Sequence, residues 1–513
     1  MPPRLPRHLP ALLALFFLLP SVTAAQETGI VEKLYENALQ LLRSGKTEEG
    51  LKGFEQIYTS YGQTPQAPDA LFQAGSYHYP VMDLNDLGIA TREEIQRATT
   101  FFEWIRKQYD TSPRAPEALY KLGLLALEPA NPKASPNEAF AAFTSVANVY
   151  PGSPLVGDAL FGAATSQMRS GAFEDALAVF SRLLEQVPGY ASAARARLAF
   201  GYCQYRAGDY PRAMEEYQKV RDLFPGKPEA QVALERLTLL HRLRLLPATG
   251  RAIVYRPDVS YLGKLESLGI RSVTDLAIGP DGSLLVADGK QGLTQTVDPR
   301  GRPEGRFSFP GVGAVALDRR GTALLLGGCT ILMNKQQLSL TRPDSFGPRL
   351  VRETSGVAVD GDGKIYVVDS RNNEVLLYGR ALDFRTPVHR SPGGKLADVK
   401  VGIDNQVYIL DSRERSVTIL SEGRPTTRVR LGDPPASIVD PVALAVDELG
   451  NLYVSDASAG RVVILDPSGK RVLSVLRSDR GRGGIAAPDK IEVDRQGRIY
   501  VYDRKANAIL RFQ

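Results

Sequence analysis

The chain has 513 residues, of which 43% are hydrophobic and 23% charged, and its formal net charge is +6. This length predicts several domains with well-formed cores. The only two cysteines, Cys203 and Cys329, fall in different parts of the chain, which argues against a disulfide framework. We expect both to behave as buried small apolar residues.

The N-terminus has the pattern of a secretory signal peptide. Arg4 and Arg7 precede the apolar run Ala11–Leu19, and small residues follow up to Ala25. The run is short for a bilayer span, so we predict a cleaved signal over 1–25, with an uncleaved anchor as the alternative. No Cys follows it, so a lipoprotein signal is not expected. The mature chain is then exported without a transmembrane span, periplasmic or secreted, with peripheral attachment to the outer membrane left open.

Residues 26–246 have the periodicity of helices. Apolar residues recur at spacings of three and four, as in Ala176, Val179, Phe180 and Leu183. An aromatic residue begins each of five helical runs, and an aromatic residue or Val follows seven positions later: Phe54 and Tyr61, Phe102 and Tyr109, Phe143 and Tyr150, Phe180 and Val187, Tyr217 and Phe224. The last two intervals are 37 residues each, which predicts a repeat of paired helices.

Two segments between paired helices, Arg169–Ala176 and Arg206–Ala213, place Gly, an aromatic residue and Ala at matching positions. They resemble the tetratricopeptide repeat, in which small residues let two helices pack closely. The linker Tyr150–Gly152 is similar to linkers in periplasmic envelope-assembly and division-coordination repeat proteins. The resemblance implies a curved solenoid whose concave face binds a protein partner. The earlier repeats are less regular, with inserts at Tyr77–Ala98 and Glu128–Asn137.

After a short linker over 247–260, residues 261–513 repeat one ten-residue pattern six times. Each copy has a turn residue at its fourth position and a closing residue at its tenth. The turn residues are Gly282, Gly321, Gly363, Asn405, Gly450 and Gly497, and the closing residue is Asp in five copies: Asp288, Asp369, Asp411, Asp456 and Asp503. Gly and Asn tolerate a left-handed turn. We expect the Asp side chains to accept backbone hydrogen bonds from their own loops rather than to bind a metal.

Short strands recur in each unit with a period of about 40 to 48 residues, which predicts a six-bladed propeller. The chain ends after the third strand of the last unit, so we predict that Tyr261–Leu265 supplies its outer strand and closes the ring. Gly356–Asp369 and Ala443–Asp456 resemble the NHL repeat. The expected fold is therefore multidomain α and β: an α-helical tetratricopeptide solenoid followed by a six-bladed all-β NHL-type propeller. The short linker predicts a preferred orientation of the two domains.

Residue types for catalysis are scarce. His389 is the one His of the propeller half and cannot by itself build a metal site. The chain has no Gly-x-Ser-x-Gly, no phosphate-binding Gly-Lys-Ser/Thr loop and no Cys–His pair. We therefore expect no catalytic residue, metal or cofactor. The alternatives are a propeller enzyme of the lyase or lactonase type, and a ligand sensor of the cell envelope with a small molecule or calcium at the propeller axis.

Basic residues dominate the propeller half, with 38 Lys and Arg against 31 Asp and Glu from Leu246 onward. The turns after the second strands and the loops between blades share one face of a propeller. On this face we place Arg371, Arg413, Arg415, Arg461, Arg480, Arg482, Arg504 and Lys505. The planar fork of Arg suits carboxylates and phosphates. A solvated surface with nearby Asp partners is the alternative.

The pattern as a whole predicts a non-catalytic exported scaffold or adaptor. One protein partner would lie on the helical solenoid, and an anionic protein or envelope polymer on the basic propeller face. Nucleic acid is a known partner type of the wider NHL family, but export makes it unexpected here.

Overall fold

The computed structural model describes residues 24–84, 86–88, 90–245, 255–258, 261, 265–333, 336–344, 347–351, 353–380, 382–477 and 484–513. The signal-peptide prediction therefore falls almost entirely outside the described residues, as does most of the linker. In the described ranges, none of the helices is both long and apolar enough to cross a bilayer.

The N-terminal half forms eleven α-helices within these ranges, followed by a single π-helical turn. Their bounds are α1 Ala24–Arg43, α2 Thr47–Ser60, α3 Gln66–His78, α4 Arg92–Gln108, α5 Ala115–Leu125, α6 Pro136–Val149, α7 Val156–Ser170, α8 Phe173–Gln186, α9 Ala193–Arg206, α10 Tyr210–Leu223 and α11 Pro228–Leu240, and the π-turn is His241–Leu245. Each helix packs against its neighbour in sequence. This arrangement is the stacked-pair solenoid that the periodicity predicts.

Aromatic residues of the second helix in each pair form the inner core. Phe54, Phe102, Phe143, Phe180 and Tyr217 are completely buried. Glycines on neighbouring helices make room for these rings: a Cβ on Gly123 or Gly162 would lie 2.5 or 2.9 Å from the ring of Phe143. The small residues of the repeat are therefore required by ring packing.

The C-terminal half is a propeller of six four-stranded sheets. Blade 1 is β2 Asp275–Ile278, β3 Leu284–Asp288, β4 Leu293–Val297 and β5 Pro303–Ser308; blade 2 is β6 Ala314–Leu317, β7 Ala323–Gly327, β8 Thr330–Met333 and β9 Gln336–Ser339. Blade 3 is β12 Thr354–Val359, β13 Ile365–Asp369, β14 Glu374–Tyr378 and β15 Phe384–Arg390; blade 4 is β16 Leu396–Val401, β17 Val407–Asp411, β18 Ser416–Ser421 and β19 Arg424–Arg430. Blade 5 is β20 Pro441–Val446, β21 Leu452–Asp456, β22 Arg461–Leu465 and β23 Val472–Arg477; blade 6 is β24 Pro488–Val493, β25 Ile499–Asp503 and β26 Ala508–Phe512, with β1 Pro257–Asp258 at its edge. A separate hairpin, β10 Thr341–Asp344 and β11 Gly347–Leu350, joins blades 2 and 3.

The ring is closed by a different strand from the one that the sequence suggested. β1 pairs with β26, with Pro257 opposite Phe512. The prediction that Tyr261–Leu265 supplies this strand is wrong. The ring of Tyr261 instead packs edge-on against Tyr500 at 5.3 Å, and Leu265 begins a 3₁₀ turn that ends at Leu268. The closing strand was missed because two residues carry no alternating pattern.

The repeated turn residues and acidic residues have local structural roles. The six turn positions Gly282, Gly321, Gly363, Asn405, Gly450 and Gly497 have φ between 63° and 82°. The Asp at the start of a turn accepts backbone hydrogen bonds, as Asp447 does from Leu449 and Asn451 at 2.9 Å. Tyr453 donates to the same carboxylate at 3.0 Å, which explains the Tyr six residues later in the repeat.

The closing Asp residues join two loops at the opposite strand ends. Asp288 accepts from Lys290 in the turn that follows it, at 3.1 Å, and from Arg271 in the preceding loop, at 2.7 Å. Asp503 likewise accepts from Ala506 and from Ala487, both at 2.9 Å. These carboxylates therefore cap the backbone between neighbouring blades. Among the described residues, no group of three or more His, Cys, Asp or Glu is placed to hold a metal ion.

Candidate interaction surfaces

The helical domain packs on one face of the propeller, the face that carries the turns between the first and second strands. The C-terminal ends of α7 and α9 and the π-turn after α11 reach these turns in blades 3 to 6. Because strands within a blade are antiparallel, the turns between second and third strands lie on the opposite face. We call the first face the joint face and the second the free face.

A buried ion pair holds α7 against blade 3. Both terminal guanidinium nitrogens of Arg169 donate to Asp362, at 2.6 and 2.8 Å, and both side chains are less than 10% exposed. Burial alone would raise the pKa of Asp362, but Arg169 and Lys364 outweigh it and hold that pKa below its usual value. The two ends of this pair are 193 residues apart in sequence, so the bond exists only when both domains are folded and docked.

A second polar cluster holds α9 against blades 4 and 5. Arg206 donates to Asp404 at 2.6 Å, and Tyr202 donates to the same carboxylate at 2.8 Å. Tyr205 donates to the side-chain oxygen of Asn451 at 2.6 Å, and both groups are buried. The polar turn residues of the joint face are therefore buried in the contact with the helical domain.

Apolar packing completes the joint. One buried cluster contains Leu239 and Leu240 of α11 together with Leu449 and Ile499 of the propeller. A Cβ on Gly497 would lie 2.4 Å from Leu239, so the helix touches the turn backbone directly. A continuous core across both domains predicts one preferred orientation rather than two tethered bodies.

The free face carries most of the predicted basic residues. Arg371, Arg413, Arg415, Arg504 and Lys505 are exposed and lie in the turns between second and third strands of blades 3, 4 and 6. Two predicted residues, Arg480 and Arg482, lie outside the described residues.

Arg461 differs from the other basic residues because it is partly buried. Its guanidinium donates to Asp456 at 3.0 Å and to the carbonyl of Ser437 at 2.7 Å. These bonds join a strand of blade 5 to the loop that precedes the blade. Acidic partners also occur on this face, such as Glu414, which lies 3.4 Å from Arg428. The exposed basic residues therefore cover only part of the free face, at the turns of blades 3, 4 and 6.

The helical domain has its own apolar groove, with a cavity of about 640 Å³ between α3, α5 and the loop before α7. Phe72, Tyr120 and Tyr150 form its walls, and Met82 at its edge is 69% exposed. Lys121 lines it as well, and burial lowers the pKa of this amine to about 8. An exposed thioether beside aromatic walls is typical of surfaces that accept apolar side chains.

A smaller cavity of about 210 Å³ lies on the propeller axis and is lined by the first strands of all six blades. The second-to-last residue of the first strand is Ala in four blades, namely Ala277, Ala316, Ala358 and Ala445, and is Lys400 in blade 4 and Glu492 in blade 6. Lys400 reaches across blade 5 to Glu492, with a nitrogen–oxygen distance of 2.5 Å. The sequence reasoning missed this pair, although the signal was present as two departures from the Ala of the repeat.

A model of the tetratricopeptide repeat family matches residues 133–191 and 161–228. A search of the curated proteins gives no match. Among solved structures, virginiamycin B lyase from Staphylococcus aureus is 14% identical with a TM-score of 0.36, over 46% of this chain and 79% of that chain. The β-propeller domain of Cps50 (Swd1) from Myceliophteria thermophila is 9% identical with a TM-score of 0.37, over 50% and 99%. Similarity at this level indicates nothing about activity.

Tetratricopeptide repeats stack into surfaces that bind other chains, and propellers present a broad face of loops. In this chain the two are joined through a buried interface, and each keeps an exposed surface of its own. The protein is a tetratricopeptide-repeat solenoid followed by a six-bladed β-propeller, an architecture that supports a protein-interaction scaffold.

Proposed function

We propose that this protein is an exported, non-catalytic adaptor of the cell envelope, with an NHL-type propeller. It holds a protein partner in the helical groove and an anionic partner, either an acidic protein or an envelope polymer, on the free face. The signal-peptide pattern of the first 25 residues supports export.

The observation that carries the proposal is the division of the propeller into a joint face and a free face. The Arg169–Asp362 and Arg206–Asp404 pairs are buried between the domains, whereas Arg371, Arg413 and Arg504 are exposed on the other side. An adaptor needs two surfaces at a set distance and angle, and a packed joint supplies that geometry without any reaction.

The groove supports a protein partner because it is concave and mostly apolar. The exposed Met82 and the rings of Tyr120 and Tyr150 offer contact area that is costly to leave in water. Such a groove suits an apolar segment of another chain.

The free face supports an anionic partner through charge and geometry. The side chains of Arg371, Arg504 and Lys505 are exposed in the turns that follow β13 and β25. Arg413 makes one bond, to the carbonyl of Gly393 at 2.8 Å, which leaves its remaining donors for a ligand. Electrostatic attraction of this kind sets the association rate and weakens with salt.

The test uses the mature chain as bait in an envelope extract, with captured partners identified by mass spectrometry. Three baits are compared: wild type, the free-face variant Arg371→Glu/Arg413→Glu/Arg504→Glu, and the groove variant Met82→Asp. We expect the free-face variant to lose one partner and keep the other, and the groove variant to show the reverse. The control Arg43→Glu/Lys46→Glu/Arg212→Glu makes the same charge change on exposed residues of the helical domain.

Equal capture by the free-face variant and by wild type would contradict the anionic-partner assignment, even if the groove partner is retained. Loss of a partner in the control as well would show a net-charge effect rather than a site. Recovery of the protein solely from the cytoplasm, with its N-terminal residues intact, would contradict export.

A further inference from the structure

The outer edge of blade 6 is covered over only part of its length. In blades 1 to 5 the outer strand has four to seven residues, whereas β1 has two, which pair with the end of β26. Arg256 and Gln513 exchange backbone hydrogen bonds at 3.0 and 3.1 Å and extend this pairing by one position. Among the described residues, no strand pairs with the outer side of Ala508–Leu510, the other half of β26.

The chain leaves this edge after Asp258. The N–H of Tyr261 donates to the carbonyl of Asp258 at 3.3 Å, a bond from residue i+3 to residue i that is typical of a turn. The carbonyl of Tyr261 then lies against blade 1, since a Cβ on Gly301 would be 1.5 Å from its oxygen. The uncovered half of the edge therefore adjoins the free face, where the turn Arg504–Asn507 connects β25 to β26.

Four other blades show which hydrogen bond is missing at this place. At the free-face end of their outer strands, a backbone N–H donates at 2.7–2.9 Å to the carbonyl of the residue before the third strand. These accepting residues are Gly292, Cys329, Asn373 and Arg415. The corresponding residue of blade 6 is Asn507, and its carbonyl has no such donor in the described part of the chain.

The backbone of Ile509 also faces the uncovered edge. Gln513 directs its N–H and C=O toward β1, and backbone groups alternate in direction along a strand, so those of Ile509 point to the same side. The edge therefore presents three backbone groups to an incoming chain: the N–H and C=O of Ile509 and the C=O of Asn507.

Leu510 shows the same gap in its side-chain packing. It lies opposite Val501 of β25 and is half-buried. The residues at the same position of blades 1, 3, 4 and 5 are buried: Gln295, Leu376, Thr418 and Val463. A further strand that packs on Leu510 would remove apolar surface from water, which is favourable.

We propose that the edge Asn507–Leu510 binds an extended segment of the anionic partner, which adds to blade 6 as an outer strand antiparallel to β26. This inference rests on the proposed function and commits the free-face partner to a protein. An antiparallel outer strand runs toward the free face, so the C-terminal end of the segment arrives beside Arg504 and Lys505, which are exposed. Acidic residues at that end complement both charges, and main-chain hydrogen bonds hold the rest.

A surface that attracts acids by charge alone predicts a different behaviour. Charge attraction depends neither on the backbone N–H groups of the partner nor on the order of its residues. Strand addition depends on both, because the N–H groups pair with Ile509 and Asn507 and the acidic residues must lie at one end.

The experiment is a fluorescence anisotropy titration of labelled peptides with the full mature chain, to about 0.2 mM protein. The main probe is fluorescein-Val-Thr-Val-Thr-Glu-Glu amide, in which both Val side chains can lie on the same side as Leu510. A second probe carries N-methyl groups on the two Thr residues, whose N–H groups would donate to Ile509 and Asn507. A third probe has the order Glu-Glu-Val-Thr-Val-Thr.

We expect the main probe to bind, and the other two to bind about tenfold or more weakly. Absence of binding by the main probe, or equal binding by either of the others, overturns strand addition. Equal binding by the N-methylated probe would still leave the anionic-partner assignment standing, because capture from the envelope extract tests that assignment separately.

Two further measurements locate the site. Arg504→Glu/Lys505→Glu reverses the charges at the end of the edge and should weaken binding of the main probe about tenfold or more. The control Arg43→Glu/Lys46→Glu changes exposed residues of the helical domain and should leave the affinity unchanged. In wild type, the main probe should slow hydrogen exchange in the segment 508–513, which contains the amide of Ile509. Unchanged exchange there while the probe is bound also overturns the proposal.

Discussion

Arginine has opposite roles at the two faces of the propeller. On the joint face, Asp362 and Asp404 are buried under Arg169 and Arg206 of the helical domain. On the free face, Arg371 and Arg413 remain in solvent. A charge that is withdrawn from water must have a partner or it destabilises the fold, whereas an exposed charge costs almost nothing. Burial therefore distinguishes the arginines that hold the two domains together from the exposed arginines of the free face.

The largest effect expected from this comparison is at Arg169. Arg169→Ala leaves Asp362 buried without its cation and beside Asp360, so we expect a loss of about 3–5 kcal/mol in the free energy of unfolding. Urea denaturation measures this loss, and limited proteolysis near the linker reports the separation of the domains. Arg371→Ala, the matched change on the free face, should stay within about 0.5 kcal/mol of wild type. Similar losses in both variants would contradict the distinction between the faces.

A smaller effect is expected at Tyr205. Tyr205→Phe removes a 2.6 Å hydrogen bond and leaves the side-chain oxygen of Asn451 buried without this donor, which should cost about 1–3 kcal/mol. Tyr190→Phe removes a 2.9 Å bond to Asp158 on the surface, where water replaces it, and should cost much less. Thermal unfolding of the two variants compares the loss of a Tyr hydroxyl at a buried position with the same loss at the surface. A larger loss in Tyr190→Phe would contradict the burial argument.

Periodicity predicted both domains because each is a repeat. The Gly and Asp positions recur at fixed spacing, and each has a local cause: a left-handed turn at Gly450, or backbone capping by Asp503. Local causes can be read from a sequence. The helical repeat could be predicted for a similar reason, since the rings of Phe102 and Phe143 need Gly75 and Gly123 beside them.

The joint could not be predicted in the same way. Asp362 looks like any turn residue, and only tertiary structure brings Arg169 to it from 193 positions away. One irregular feature of the sequence, the insert Tyr77–Ala98, takes part in this contact. Gly88 in the insert lies against the backbone of Asp362, where a Cβ on Gly88 would be 2.3 Å from the carbonyl oxygen of Asp362. The short edge strand Pro257–Asp258 was also beyond sequence reasoning, because pairing with β26 defines it.

A pH-dependent effect is expected at Glu128, at the start of the second insert, which lies near enough to the joint for its pKa to respond to Asp362 and Arg169. Its carboxylate accepts from Tyr79 at 2.8 Å and from the N–H of Gly88 at 2.9 Å. Burial raises the pKa of Glu128 from 4.5 to about 7 in spite of these bonds. The folded state therefore retains a proton that the unfolded chain has released, and Glu128 lowers stability as pH rises from about 4.5 to about 7.

Glu128→Gln removes this titration, and a flipped amide can still donate to the Tyr79 oxygen and accept from Gly88. We expect the free energy of unfolding of the variant, relative to wild type, to be higher at pH 8 than at pH 5. Urea titrations at both pH values measure it. Tyr79→Phe removes a bond that favours the ionised form, so the pKa of Glu128 should rise further and the pH-dependent loss should extend upward. Parallel stability curves for wild type and Glu128→Gln would show that this carboxyl does not titrate between pH 5 and pH 8.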